Sequence, residues 1–170
     1  LPISPTTQEA AARAAGIEAH YHLIEAAGAG HDDLAAMLDG IRRLGFSGIN
    51  VTYPYKEAVV PLLDALSPEA AGMGAVNTIT VADGRLTGHN TDASGFATAY
   101  RKLGRNDGDR PVAIIGAGGV GKAIAFALAG SGVGALRLYD IDRGKCEALA
   151  QMLAGRARIE IAASAAAAAE

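Results

Sequence analysis

The sequence has no tryptophan, and aromatic residues of all kinds make up only 5% of its 170 positions. Stacking platforms for single-stranded nucleic acid need such rings, so that kind of partner is disfavoured. There is a single cysteine, Cys146. It has no internal disulfide partner and suits a reducing compartment, and nothing marks secretion, so the expected location is the cytoplasm. No apolar run approaches the roughly 20 residues of a membrane-spanning helix. Lys/Arg-rich runs are missing and the net charge is −3, so neither nucleic acid nor an anionic membrane is expected as a partner. His20, His22 and His31 show no metal-ligand spacing with Cys146 or with one another, so no metal is expected.

What is present falls into two patterns. In the first, Ser4-Pro5 and "TTQEAAARAAG" predict a helix that stops at Gly16. "HYHLIEA" (20–26) has strand character. "HDDLAAMLDGIRRLGF" puts Leu34, Leu38, Ile41 and Leu44 at helical spacing, with Asp32 and Asp33 suited to the positive end of the helix dipole. "GINVT" (48–52) is a short apolar strand, and strand, helix, strand in that order suggests a parallel βαβ unit. A further helical segment is expected after Lys56, carrying Val59, Val60, Leu62, Leu63 and Leu66. "ADGR" between two alternating runs predicts a hairpin, and "TDASGFATAYRKL" (91–103) a helix with an aspartate in its first turn. "GRNDGDRP" reads as a boundary, dividing the chain into domains at 1–104 and 105–170.

Beyond that boundary the order is strand, glycine turn, helix, strand, helix, strand. This is half of a Rossmann-type, doubly wound dinucleotide-binding fold. The whole is therefore expected to be α/β. An N-terminal α/β domain precedes a Rossmann-type, dinucleotide-binding domain whose C-terminal part is absent from this chain. "GAGGVG", from Gly116 through Ala117, Gly118, Gly119 and Val120 to Gly121, has the G-x-G-x-x-G spacing after an apolar strand and before a helix. Its glycines permit a tight turn and close approach of a pyrophosphate, which the free N–H groups of the helix start attract. Asp140 closes "LRLYD" about twenty residues on, where a carboxylate accepts from a ribose hydroxyl and repels a 2′-phosphate. NAD is favoured on that ground. Arg143 and Lys145 stand close enough to keep NADP possible, and Lys122 reads as a solvent-facing helix residue. Cys146 reads as packing, and His89 as structural.

Lys56, in "NVTYPYKEAV", has two readings from residue type alone. It is a solvated residue opening a helix, or it handles a proton. Tyr55 beside it either lines a cleft or packs.

Four stretches together resemble the shikimate/quinate dehydrogenase family: "ISPTTQEAAARAAG", "GINVTYPYKEAVVPLLD", "GAVNTI" with "GHNTDASGF", and "IGAGGVGKAIAFAL". Their order and spacing match over nearly the whole chain. The resemblance implies an enzyme of two domains with its site in the cleft between them. It reversibly oxidises a ring hydroxyl of a shikimate- or quinate-type polyol carboxylate with NAD(P), in the pathway to aromatic amino acids. A small-molecule polyol carboxylate is the implied partner, and the implied state is a monomer or homodimer. Carried over by motif, Lys56 and Asp92 are the catalytic pair. Thr52, Asn77 and Asp92 hold ring hydroxyls, and Ser4 keeps one hydroxyl for the carboxylate. Hydride leaves a carbon only as its hydroxyl proton is removed, so a group that takes or shares that proton must lie within hydrogen-bond reach. A lysine does this as a neutral base, or stabilises the developing alkoxide as a cation.

Two departures narrow the expectation. The family's first motif usually runs Ser-x-Ser-Pro or Ser-x-Thr-Pro, whereas this chain has Pro2-Ile3-Ser4-Pro5. Pro2 has neither a side-chain donor nor a backbone N–H, and one charge-assisted hydrogen bond is worth about 1.5–3 kcal/mol. Quinate or another polyol gains over shikimate. "YDIDRGK" stands where NADP-using members carry an Asn-Arg-Thr type turn, which agrees with the NAD-preferring branch. The competing readings are a non-catalytic relative that binds NAD or a metabolite, and a related dehydrogenase for a different polyol.

Overall fold

A computed structural model describes residues 5–104 and 110–170. Helix α1 (Pro5–Ala14) ends ahead of Gly16 as its sequence predicts. Helix α2 (His31–Arg43) buries Leu34, Leu38 and Ile41 on one face. Its start is held by the Gly30 N–H donating to the Asp33 carboxylate at 2.9 Å. Leu44 does not join that face. It is the C-cap residue and is 77% exposed, because the helix has turned its stripe away by then.

Strands β1 (Gly48–Asn50), β2 (Ala65–Leu66), β3 (Thr78–Ala82) and β4 (Arg85–His89) form one sheet in the order β1-β3-β4-β2. A short helix α3 (Pro68–Met73), capped by the Ser67 hydroxyl, follows β2. β3 and β4 are the predicted hairpin, and its two-residue turn has φ of 50° at Asp83 and 71° at Gly84. Positive φ at both positions matches the right-handed twist of the strands it joins.

Three expectations fail here. Residues 20–26 form no strand, and the Tyr21 N–H donates to the Glu9 side chain at 3.1 Å instead of to a neighbouring strand. The first third is therefore no parallel βαβ unit: β1 pairs antiparallel with β3, and only the β2–β4 pair is parallel. After Lys56 there is a run of turns and a single 3₁₀ turn (Val60–Leu62), not a helix. Pro61 has no N–H to give, and β-branched Val59 and Val60 add to the cost of continuing. The apolar residues of this segment are still used. Val59 is buried with Leu34, Leu38, Ala70, Val76, Ile79 and Leu86, and Val60, Leu62, Leu63 and Leu66 border that core.

Helix α4 (Asp92–Lys102) leads out of β4. Strands β5 (Val112–Ile115), β6 (Ala135–Tyr139) and β7 (Arg158–Ile161) then form a parallel sheet in the order β5-β6-β7. Helices α5 (Gly119–Gly130) and α6 (Arg143–Met152) make the crossovers, and α7 (Ala165–Ala169) lies on β5 and β6. This is the expected Rossmann-type half, and the chain as a whole is α/β with two sheets. Its core is built from Ile114, Leu128, Leu136, Leu138, Leu149 and Leu153, with the Cys146 thiol among them. Phe96 and Tyr100 of α4 pack against this second core.

Among the described residues, no helix is long and apolar enough to cross a membrane.

Candidate active site

The Lys56 backbone is fixed by the segment that leads into β3. The buried Val76 N–H donates to its carbonyl at 2.8 Å, just where the chain enters β3. The Lys56 side chain then reaches Asp92 at the start of α4, with Nζ 2.5 Å from Oδ2. The other carboxylate oxygen, Oδ1, accepts from Asn77 Nδ2 at 2.8 Å. Lys56 is 16% exposed at its side chain and Asp92 31%, so the pair is shielded but open to a ligand on one side.

Asp92 stands in the first turn of α4, where the helix dipole favours a carboxylate. Asn90 orients it. The Asp92 N–H donates to Asn90 Oδ1 at 3.1 Å, while Asn90 Nδ2 donates to the Ala75 carbonyl at 3.0 Å. Asn90 is 5% exposed, and these bonds satisfy a side chain that burial would otherwise penalise. Asn77 is held in turn by the Thr91 N–H, which donates to its Oδ1 at 3.0 Å, and by the Thr78 hydroxyl at 2.9 Å. From sequence Asn90 reads as a turn or cap residue with a lesser claim on substrate than Asn77, and Thr91 is not singled out. "HNTD" at a strand end offered the signal for both, since Asn, Thr and Asp are the side chains that cap a helix start.

Thr52 is exposed and outside this network among the described residues. It lines a separate cavity of about 640 Å³ between α2, residues 24–28 and residues 49–55. Its walls are mostly apolar, and the Lys56–Asp92 pair lies outside it. Its size therefore makes no case for chemistry there. Tyr55 borders it and packs: its hydroxyl donates to the Ala26 carbonyl and accepts from the Ala29 N–H at 3.2 Å. His89 has a structural partner, with Nε2 3.2 Å from the Thr80 hydroxyl. Ser4, and the Pro2 beside it, lie outside the described residues.

The glycine turn faces the same place. Gly116 has φ of 100°, and its N–H donates to the Tyr139 carbonyl at 2.7 Å, stitching the turn to β6. At Gly121 a Cβ would stand 1.8 Å from the Gly116 carbonyl oxygen, so the turn closes only with glycine there. At Gly119 a Cβ would lie 3.6 Å from Cδ of Lys56, which sets the lysine stem beside the turn. Gly118 is the N-cap of α5, while Ala117 is buried and Val120 exposed. Asp140 braces the turn from the end of β6. Its Oδ1 accepts the Asp142 N–H at 2.9 Å and its Oδ2 the Ala117 N–H at 2.7 Å. Those two backbone bonds, the Asp142 one foremost, hold the carboxyl below the usual carboxylate range, with the Lys145 charge adding to them. A pocket of about 190 Å³ opens beside it, bordered by Ile141, Arg143, Cys146 and Ala162. Arg143 pairs with Glu147 at 3.0 Å, one helical turn on.

Lys122 differs from its sequence reading. It is not solvent-facing: its side chain is 12% exposed and its Nζ lies 2.6 Å from Oε1 of Glu57. The partner comes from the other half of the molecule, which no local pattern reveals. Among the described residues, no group of three or more His, Cys, Asp or Glu side chains is placed to hold a metal ion.

Fold and site define a Rossmann-class α/β protein whose glycine turn adjoins a lysine–carboxylate pair on a second sheet. Residues 2–79 match the family model of the shikimate dehydrogenase substrate binding domain, and residues 105–170 that of the ThiF family. A quinate/shikimate dehydrogenase (NAD(+)) of Corynebacterium glutamicum strain R is 43% identical over 156 residues, covering 90% of this chain and 55% of the relative. A shikimate dehydrogenase (NADP(+)) of Syntrophomonas wolfei is 50% identical over 116 residues, covering 68% of this chain and 40% of the relative. The solved structure of a quinate dehydrogenase from Corynebacterium glutamicum in complex with NAD superposes with a TM-score of 0.84 at 40% identity. It covers 95% of this chain and 60% of that one. The 156-residue match runs across both halves, whereas the ThiF match is confined to the second. The chain belongs to the shikimate/quinate dehydrogenase family. It spans about half the length of the curated relatives it matches.

Proposed function

We propose that the protein to which this chain belongs is an NAD(P)-dependent oxidoreductase. It reversibly oxidises a ring hydroxyl of a quinate- or shikimate-type polyol carboxylate to the ketone. In this reading residues 1–104 form the substrate half and 105–170 the dinucleotide half. The observation that carries it is the Lys56–Asp92–Asn77 arrangement, with Nζ and Nδ2 on opposite oxygens of one carboxylate and the lysine stem against Gly119.

The second half fits a dinucleotide: its turn is one that a Cβ at Gly121 would fill, and a carboxylate lies beside it. The backbone from Gly116 to Gly121 would hold the pyrophosphate and Asp140 a ribose hydroxyl, which favours NAD and leaves NADP possible. A nicotinamide bound there supplies the hydride acceptor. The chain's own part is the proton. Lys56 Nζ takes or shares the hydroxyl proton as the carbon gives up hydride, and returns it in the reverse direction. Asp92 accepts from Nζ and so fixes which way the amine faces, while its hold by Asn77 and Asn90 keeps that direction from drifting. Asn77, Thr52 and Ser4 are the further substrate contacts in this reading. The cytoplasm is the proposed location, and a monomer or homodimer the proposed state.

The test is reduced-nicotinamide absorbance with the full-length protein, quinate and shikimate each paired with NAD and with NADP. NAD-dependent turnover that Lys56→Ala loses, with NAD binding kept, is the expected result. Measurable NAD binding without turnover of either acid would reject the assignment and leave another polyol or a non-catalytic binder.

A further inference from the structure

Lys122 occupies an electrostatically awkward place. It lies in the first turn of α5, whose free N–H groups already make that end positive, so a cation there is disfavoured. Its side chain is largely withdrawn from water, and Glu57 supplies the compensation at 2.6 Å. Both ends of the pair have anchored backbones. The Lys122 N–H donates to the Gly118 carbonyl at 2.8 Å, and the Glu57 carbonyl accepts from Val60 at 3.2 Å. Glu57 also follows Lys56 directly, whose stem lies against Gly119. Two consecutive residues of the segment 53–59 therefore meet the glycine turn and the helix it opens.

We infer that Glu57 and Lys122 are positioning residues. Their ion pair clamps segment 53–59 onto the start of α5 and thereby sets where Lys56 Nζ stands relative to the glycine turn. The catalytic consequence rests on the dehydrogenase reading above, whereas the clamp itself does not. A different role for Lys122, direct ligand of an anion at the α5 start, carries the opposite signature. Removing Glu57 would then free the lysine and tighten dinucleotide binding.

The experiment uses the full-length protein with Glu57→Gln, Lys122→Gln, the double variant, and the exchanged pair Glu57→Lys with Lys122→Glu. Amide hydrogen exchange without ligand is followed in peptides covering 53–59 and 116–122. Steady-state kinetics with quinate and NAD, and direct NAD titration, accompany it. Each single variant is expected to speed exchange in both segments. Each should lower kcat on the order of tenfold while NAD affinity stays within about twofold. The double variant should be no worse than either single one, and the exchanged pair should recover part of the loss. Exchange and kcat at parental values in Glu57→Gln would overturn the clamp. So would NAD affinity that weakens in Lys122→Gln and rises in Glu57→Gln. If the parent turns over neither acid, the dehydrogenase reading fails, and exchange still decides for or against the clamp.

Discussion

Replacing Asn77 by alanine and by aspartate separates its hydrogen bond from its charge neutrality. Asn77→Ala removes the Nδ2 donor that lies 2.8 Å from Asp92 Oδ1. A hydrogen bond to a charged group is worth about 1.5–3 kcal/mol, and Asp92 is open enough for water to replace part of it. The expected fall in kcat/KM is therefore about one decade and at most about two. Asn77→Asp keeps the shape and puts a second carboxylate at the same 2.8 Å. At an effective dielectric of about 20, two unit charges that close repel by about 6 kcal/mol, which outweighs the lost hydrogen bond even after Lys56 offsets part of it. Such a pair relieves itself by keeping a proton on one member, and that proton restores a donor toward Asp92. Asn77→Asp should therefore be the worse variant at pH 8, and the gap between the two should close as the pH falls toward 5. The assay is kcat/KM for the acid between those limits, with circular dichroism to show that both variants fold. Aspartate equal to or better than alanine at pH 8, or alanine within twofold of the parent, would refute the assigned role.

Gly121→Ala forces a methyl group to within 1.8 Å of the Gly116 carbonyl oxygen, so the turn must open. NAD affinity by calorimetry should fall by more than about tenfold, and an unchanged Kd would refute the cradle. Asp64 accepts from the Leu86 N–H at 2.7 Å and from Arg42 at 3.1 Å, and these hold its carboxyl below the usual range, the backbone bond foremost. A depressed carboxyl stabilises the fold above its unfolded pKa of about 3.9 and loses that contribution as pH falls through the lower native value. Urea unfolding should thus show Asp64→Asn less stable than the parent at pH 7, with the difference shrinking below about pH 4. Burial, with the Asp140 charge behind it, pushes the Cys146 thiol up. A thiol reagent at pH 8 should leave the native protein unmodified and label it on denaturation; rapid native labelling would contradict that burial.

The second half was legible from sequence because its signals are local. Strand, glycine turn and helix succeed one another, and the spacing of Gly116, Gly118 and Gly121 is itself the geometry. The site in the first half is assembled across distance: Lys56 and Asp92 are 36 positions apart, and only the β1-β3-β4 order brings them together. Resemblance to a family named the pair, but nothing in the periodicity implied its contact with Asn77. Residues 20–26 misled because residues of strand character form a strand only where a neighbour offers backbone partners, and here none pairs with them. Lys122 misled for a related reason. A lysine on a helix is read against its own neighbours, and its carboxylate comes from 65 positions upstream.

Helix α4 bears on how such proteins can be recombined. Its first residue is Asp92, the carboxylate of the candidate site, while Phe96 and Tyr100 further along it are seated on the core of the parallel sheet. Cutting the gene at the glycine- and aspartate-rich stretch after Leu103 and joining it to a relative's second half would leave those two rings on a foreign surface. Any misfit there would tilt the helix and be felt at Asp92. Grafts that keep α4 and α5 from the same parent should retain turnover, and those that split them should lose it while both parts still fold. The boundary expected from the sequence and the one drawn by side-chain packing, ahead of α4, are one helix away from each other.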